Sequence, residues 1–428
     1  MKMTYYNRVD ETLYHDTLDN GLDVYIIVKR GYKEKCAYFG TKFGSLQTGD
    51  ILVDEHGNKH PVLGGIAHFL EHRLFDNKRG NVMDLYDNMG ASCNAFTSFN
   101  KTVYYFSSIN NFDEGLNLLL DYPSEFEMSE EAVEGEKDII IQEVKMYKDM
   151  PDRVLFFEGL RSLYNEHPIT SEIGGEIEEV SATTRQLLGL CHSTFYDPSN
   201  MTLVVVGDVD VKETLELIKI NQAGKNFKAS EHIVKEINES IEVARGFHEI
   251  KMNSNIDKVF IGYKMEPLDN LDTFSQNKVV SSLDIIGNIL FSKSGEYYED
   301  LVKEGLISNI ESETLALPKM NAFFVSAEST KVDELTFRIK EIVASSLDTL
   351  TEERLQSNKK AMLSSLLYDC NSCSKLGYNF VNNILEDFNY FEMEEVIRTI
   401  NLEYLKMVCK HYLLNAKVSV TVMKNKDD

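Results

Sequence analysis

Apolar and polar positions along the chain change their period several times, and those changes predict the elements. Residues 22–28 (Leu-Asp-Val-Tyr-Ile-Ile-Val), 102–107 (Thr-Val-Tyr-Tyr-Phe-Ser) and 202–206 (Thr-Leu-Val-Val-Val) are short runs rich in β-branched and aromatic side chains, which predict strands. Between the last two, residues 112–122 and 129–148 carry helical patterns. Residues 65–75, Gly-Ile-Ala-His-Phe-Leu-Glu-His-Arg-Leu-Phe, predict a further helix. Helices gathered between strands in this order indicate an α+β chain rather than strict alternation of strand and helix.

The pattern occurs twice. Leu74-Phe75 aligns with Leu290-Phe291, 216 positions on, and Gly90-Ala-Ser-Cys-Asn94 with Gly305-Leu-Ile-Ser-Asn309, 215 positions on. Phe195-Tyr-Asp-Pro-Ser-Asn200 and the apolar run after it align with His411-Tyr-Leu-Leu-Asn415 and its own following run, again 215 positions on. Three offsets that agree to one residue predict two copies of one domain, 1–220 and 240–428, joined by the polar stretch 221–239. A chain of 428 residues also suggests two or three domains, at about 150 residues each.

Composition narrows the class. With 43% apolar and 10% aromatic residues there is material for sizeable cores, and 24 Gly and 7 Pro exclude collagen-like or linker-rich designs. No run approaches the roughly 18 uncharged apolar residues of a membrane span. The N-terminal residues lack the apolar run of a signal peptide, so the expected location is the cytoplasm. The 44 Lys and Arg against 69 Asp and Glu leave a net charge of −25, which argues against sequence-independent nucleic-acid binding. Six scattered cysteines do not form a disulfide framework. Cys370-Asn-Ser-Cys373 has CxxC spacing but no second pair to complete a zinc ribbon.

The chemistry-bearing signal is His68-Phe-Leu-Glu71-His72. Positions four apart share a helix face, so two imidazoles can grip one ion, with Glu71 on the same side and close to a metal-bound water. This is the HxxEH order of inverzincins. A zinc site of this kind needs a third protein ligand and an open fourth position. The helix at 129–148 offers Glu130, Glu131, Glu134, Glu136, Asp138 and Glu143. Glu143 sits beside Ile139, Ile140 and Val144, and Glu136 lies seven residues earlier on the same face. Spacing does not choose between the two.

The motif, together with Gly90-Ala-Ser-Cys-Asn94-Ala95-Phe-Thr97, the Glu136-to-Glu143 helix, Glu166-His-Pro168 and the Asn200-to-Asp208 segment, resembles the pitrilysin, insulinase and mitochondrial-processing-peptidase family of zinc peptidases. The likeness covers essentially the whole chain. It implies two homologous α/β-roll domains, each a mainly antiparallel sheet packed with helices. It implies a zinc ion held by His68, His72 and Glu143, with Glu71 as general base and Glu136 as a supporting acid of the catalytic site. It also implies an edge strand on which a peptide substrate lies by strand addition, Asn94 bonding peptide backbone and Ala95 leaving room.

In the second copy Asp284, Gly287 and Asn288 stand where His68, Glu71 and His72 stand in the first, so zinc cannot bind there in the same way. Self-sufficient dimers of the family carry an Arg and a Tyr in a segment that here reads Asp300-Leu-Val-Lys-Glu-Gly-Leu-Ile-Ser-Asn309. Val302 or Lys303 stands at the Arg position, and Ser308 near the Tyr. The expectation is a heterodimer, with zinc from this chain and Arg and Tyr from a homologous non-catalytic subunit. The alternative is a non-catalytic structural or peptide-binding subunit.

Overall fold

A computed structural model describes residues 1–77, 79–225 and 230–426. The expected strands are Asp23–Val28, Thr102–Ser108 and Met201–Gly207, and the expected helices are Ile66–Leu74, Phe112–Asp121 and Glu130–Lys148. The described residues form two compact units, and the layout is α+β, as expected. The first unit takes Met1–Lys145, Ser171–Glu236 and Leu367–Phe391, and the second takes Met146–Thr170, Ile237–Leu366 and Glu392–Asp428.

This partition differs from the repeat boundaries 1–220 and 240–428 in a specific way. The helix Pro151–Leu163 belongs by sequence to the first copy but packs in the second unit. The helix Cys373–Ile384 belongs to the second copy but packs in the first. Within the joining stretch 221–239, residues 226–229 lie outside the described residues.

In the first unit, seven strands form one sheet: β1 (Lys2–Tyr6), β2 (Glu11–Thr17), β3 (Asp23–Val28), β4 (Lys35–Thr41), β5 (Ala91–Thr97), β6 (Thr102–Ser108) and β7 (Met201–Gly207). Their order is β1-β2-β3-β7-β4-β6-β5. Only the β3–β7 pair is parallel. Strand β7 is buried at every position, which is why its sequence is a continuous apolar run rather than an alternation. Leu203 and Val205, with Ala37 and Phe39 of β4, face the main core. The other face receives the helix Cys373–Ile384. There a Cβ on Gly377 would stand 2.3 Å from Tyr38 Cε2, so only a glycine lets the helix come this close.

In the second unit five strands form a sheet: β8 (Phe247–Met252), β9 (Lys258–Lys264), β10 (Asn309–Leu317), β11 (Met320–Glu328) and β12 (Lys417–Asn425). The order is β8-β12-β9-β11-β10, with β8–β12 the parallel pair. The helix Thr273–Phe291 packs on β10, and the helix Pro151–Leu163 on β9 and β12. A glycine again sets the approach, since a Cβ on Gly159 would stand 2.4 Å from Phe260 Cδ1. Each sheet thus has a helix on both faces, and each has an edge strand, β5 or β10, at one end.

Candidate metal site

The helix Ile66–Leu74 (α1) buries Ile66, Ala67, Phe69, Leu70 and Leu74 against the first unit's core. The 3.6-residue period turns His68, Glu71 and His72 to the opposite side. Its start is fixed by Gly65, whose φ of 80° lies in the left-handed region open to glycine. A Cβ there would also stand 2.3 Å from the Gly174 carbonyl oxygen. The Gly64 N–H donates to Glu179 Oε1 at 2.9 Å, which ties down the chain entering the helix.

The helix Glu130–Lys148 (α2) brings the carboxylates. Val133, Glu136, Ile140 and Val144 form its buried stripe, and Glu143 lies half-buried beside it. His68, His72 and Glu143 each offer one ligand atom, and the three atoms lie within 4.8 Å of one another. His72 Nε2 is 3.5 Å and His68 Nε2 is 3.7 Å from Glu143 Oε2. Among the described residues this is the one group of three or more His, Cys, Asp or Glu side chains so arranged.

Glu136 has a different task. Its Oε1 lies 3.1 Å from His72 Nδ1, the ring nitrogen turned away from Glu143. Its Oε2 accepts from the Arg73 guanidinium at 3.0 Å, and the same Arg73 nitrogen donates to Asp76 Oδ2 at 3.0 Å. Burial would raise the Glu136 carboxyl, but the hydrogen bonds from His72 and Arg73 prevail and hold it below the usual carboxylate range. Burial likewise disfavours a charged His72. The carboxylates of Glu136, Glu143 and Glu71 outweigh that and raise its affinity for a proton. The same acids would favour a metal cation at the His72 ring.

Glu71 is one position before His72, and its carboxyl is raised above the ordinary range by burial, partly offset by a hydrogen bond from Thr97. Thr97 Oγ1 donates to Glu71 Oε2 at 2.5 Å. Asn94 and Ala95 lie on β5, the edge strand, whose other side has no partner strand among the described residues. Asn94 is exposed, and its Oδ1 accepts from the Ala95 N–H at 2.8 Å.

Two contributors carry no role in the sequence pattern. Arg73 is one, and its signal was available: it is a charge in phase with Ile66, Phe69 and Leu70, on the buried side of α1. Thr97 is the other, and no spacing rule links a strand hydroxyl to a helix carboxylate.

The second unit lacks the chemistry. Asp284, Gly287 and Asn288 lie on the helix Thr273–Phe291. Ser312 Oγ of β10 occupies the space beside Gly287, 2.4 Å from where a Cβ would be, so no carboxylate fits there. Burial raises Asp284 to about 6.

A helix presenting His-x-x-Glu-His to a carboxylate near the end of a second helix, in an α+β domain, defines a class of metal-dependent hydrolases. The comparisons with known proteins give the family. Residues 57–176 match the model described as insulinase (peptidase family M16), and residues 182–362 match that of the peptidase M16 inactive domain. The chain is 33% identical over 421 residues, 97% of each chain, to an uncharacterized zinc protease, YmfH, of Bacillus subtilis. The solved structure of a putative M16-like peptidase from Alicyclobacillus acidocaldarius superposes with a TM-score of 0.91 at 29% identity, covering 97% of this chain and 99% of that one. A protease from Helicobacter pylori shares the fold, with a TM-score of 0.83 at 20% identity over 96% of this chain and 99% of that one. The chain belongs to the insulinase family, peptidase family M16.

Proposed function

We propose that the chain is a zinc metallopeptidase that hydrolyses peptide bonds in unfolded or precursor peptides. The observation that carries this reading is the convergence of His68, His72 and Glu143 within 4.8 Å. Zinc bound by nitrogen and oxygen at about 2.0–2.2 Å in a tetrahedron separates neighbouring ligand atoms by about 3.4 Å. The 3.5 and 3.7 Å distances from the two Nε2 atoms to Glu143 Oε2 fit that spacing. Membership of the family and the names of the relatives point the same way.

Zinc at this site would polarise the scissile carbonyl and acidify the attacking water. Glu71 would take up a proton from the attacking water and return it to the departing amine. Glu136 holds Nδ1 of His72, which fixes the ring with Nε2 toward Glu143, where it would serve as a ligand. Asn94 and Ala95 receive the peptide along the β5 edge, so its backbone is oriented before its bond is broken.

The reading extends to a heterodimer. Val302, Lys303 and Ser308 stand where an Arg and a Tyr would steady the substrate carbonyl, so those groups come from a related chain. Metal analysis and a fluorogenic peptide assay test the reading. Zinc near one equivalent and chelator-sensitive cleavage are expected from the protein or from its reconstituted pair. Zinc binding without cleavage in either form would instead favour the non-catalytic subunit. Cleavage by the purified chain as fast as by the pair would remove the partner from the scheme.

A further inference from the structure

We propose that Thr97 is a positioning residue for Glu71, so that the strand receiving the peptide also aims the base; this rests on the peptidase reading above. Three observations carry it. Thr97 Oγ1 donates to Glu71 Oε2 at 2.5 Å, a charge-assisted bond to one named oxygen of the carboxylate. Thr97 itself is held in place. Its backbone pairs with Thr102 in the β5–β6 ladder, and its Oγ1 is 3.3 Å from Thr102 Oγ1. Fully buried Thr102 gives its own proton to the Phe43 carbonyl at 2.9 Å. That proton is therefore committed elsewhere, and the carboxylate is the stronger acceptor for the single proton of Thr97. The third is location. Thr97 lies on β5, the strand of Asn94 and Ala95, two residues beyond Ala95. A side chain branched at Cβ has few χ1 choices on a strand, so the hydroxyl is a stiff link.

The consequence is geometric. With Oε2 held by Thr97, Oε1 is the oxygen left to meet the attacking water. The register of a peptide added to β5 and the aim of the base are then set by one segment of backbone.

The test uses Thr97→Val, which keeps the shape and removes the hydroxyl, and Thr97→Ser, which restores the hydroxyl. Each zinc-loaded variant is assayed with a fluorogenic peptide, alone and with a co-purifying partner chain. Zinc affinity is read by chelator competition, and the Glu71 side chain by crystallography. Thr97→Val should lower kcat by about 10- to 100-fold, the scale set by misplacing a catalytic group. KM and zinc affinity should stay within about two-fold, because neither depends on the aim of Glu71. Thr97→Ser should recover most of the loss. In crystals the Glu71 carboxylate should keep its place with Ser and leave it with Val. A Thr97→Val enzyme with wild-type kcat, or a Thr97→Ser enzyme as slow as Thr97→Val, would overturn the inference. If the zinc-loaded wild type cleaves nothing, the peptidase reading has failed, and the crystallographic comparison still decides whether Thr97 holds Glu71.

Discussion

His72 Nδ1 lies 3.1 Å from Glu136 Oε1, on the side of the ring opposite Glu143. Two acids seven residues apart on one helix thus address the two nitrogens of a single imidazole. The second oxygen of Glu136 is taken by Arg73. Arg73→Met, which keeps much of the buried side-chain bulk and removes the charge, should leave Glu136 free to turn from His72. Zinc affinity should fall by about 10- to 100-fold, the usual effect of losing such outer support. Competition with a chelator of known affinity checks this, and an unchanged affinity would show that Glu136 needs no help from Arg73.

Glu71 and Glu143 should separate cleanly on mutation. Glu71→Gln should bind zinc at wild-type stoichiometry and lose about 10²- to 10⁴-fold in kcat, the range of a general base. Glu143→Gln should lose zinc itself. Chelation of the wild-type protein should abolish cleavage, and added zinc should restore it. Robust turnover by Glu71→Gln would remove that residue from the role.

His192 makes stability depend on pH away from the site. It is buried, with Nε2 2.8 Å from the Pro123 carbonyl oxygen, and burial drives its pKa down from 6.5 to about 4. The ring is neutral in the fold, so between these values the unfolded chain binds the extra proton. Its contribution is fully present above about pH 6.5 and shrinks as the pH falls toward 4. By pH 5 the loss should reach about 2 kcal/mol, taking 1.36 kcal/mol per pKa unit. Denaturation midpoints at pH 7 and 5 measure it. His192→Gln should flatten the dependence, and an equal slope in the variant would assign the effect to other groups.

Gly377→Ala weighs two effects of opposite sign. Alanine gains about 1 kcal/mol of helix propensity over glycine. Against that, its Cβ would stand 2.3 Å from the ring of Tyr38, which is buried and tied by its hydroxyl to the Ser374 carbonyl at 2.7 Å. Overpacking of this kind costs about 1–3 kcal/mol. A net loss is expected, seen as a lower denaturant midpoint. A more stable variant would mean that the helix slides on its sheet without cost.

The parts of the fold that were legible are those set by local period. The run at 202–206 announced a strand, and the His68–His72 spacing announced a helix face with two imidazoles. Spacing alone left the choice between Glu136 and Glu143 open, because both project from the same side of one helix, and only the family resemblance picked Glu143. What separates them is which nitrogen of His72 each meets, a matter of how two helices pack. The exchange of Pro151–Leu163 and Cys373–Ile384 was hidden for a related reason. Helical period says that a face is buried, not which sheet buries it. Thr97 and Arg73 act through contacts 26 and 63 residues away along the chain, beyond any motif.

The exchanged helices also bear on how the protein is made. The first unit needs Leu367–Phe391, so a nascent chain that has left the ribosome only as far as Glu236 still lacks the cover for one face of its sheet. The first unit has all of its segments only once Leu367–Phe391 has been synthesised. A gene cut at the middle of the repeat would encode two fragments, neither of which holds a finished unit.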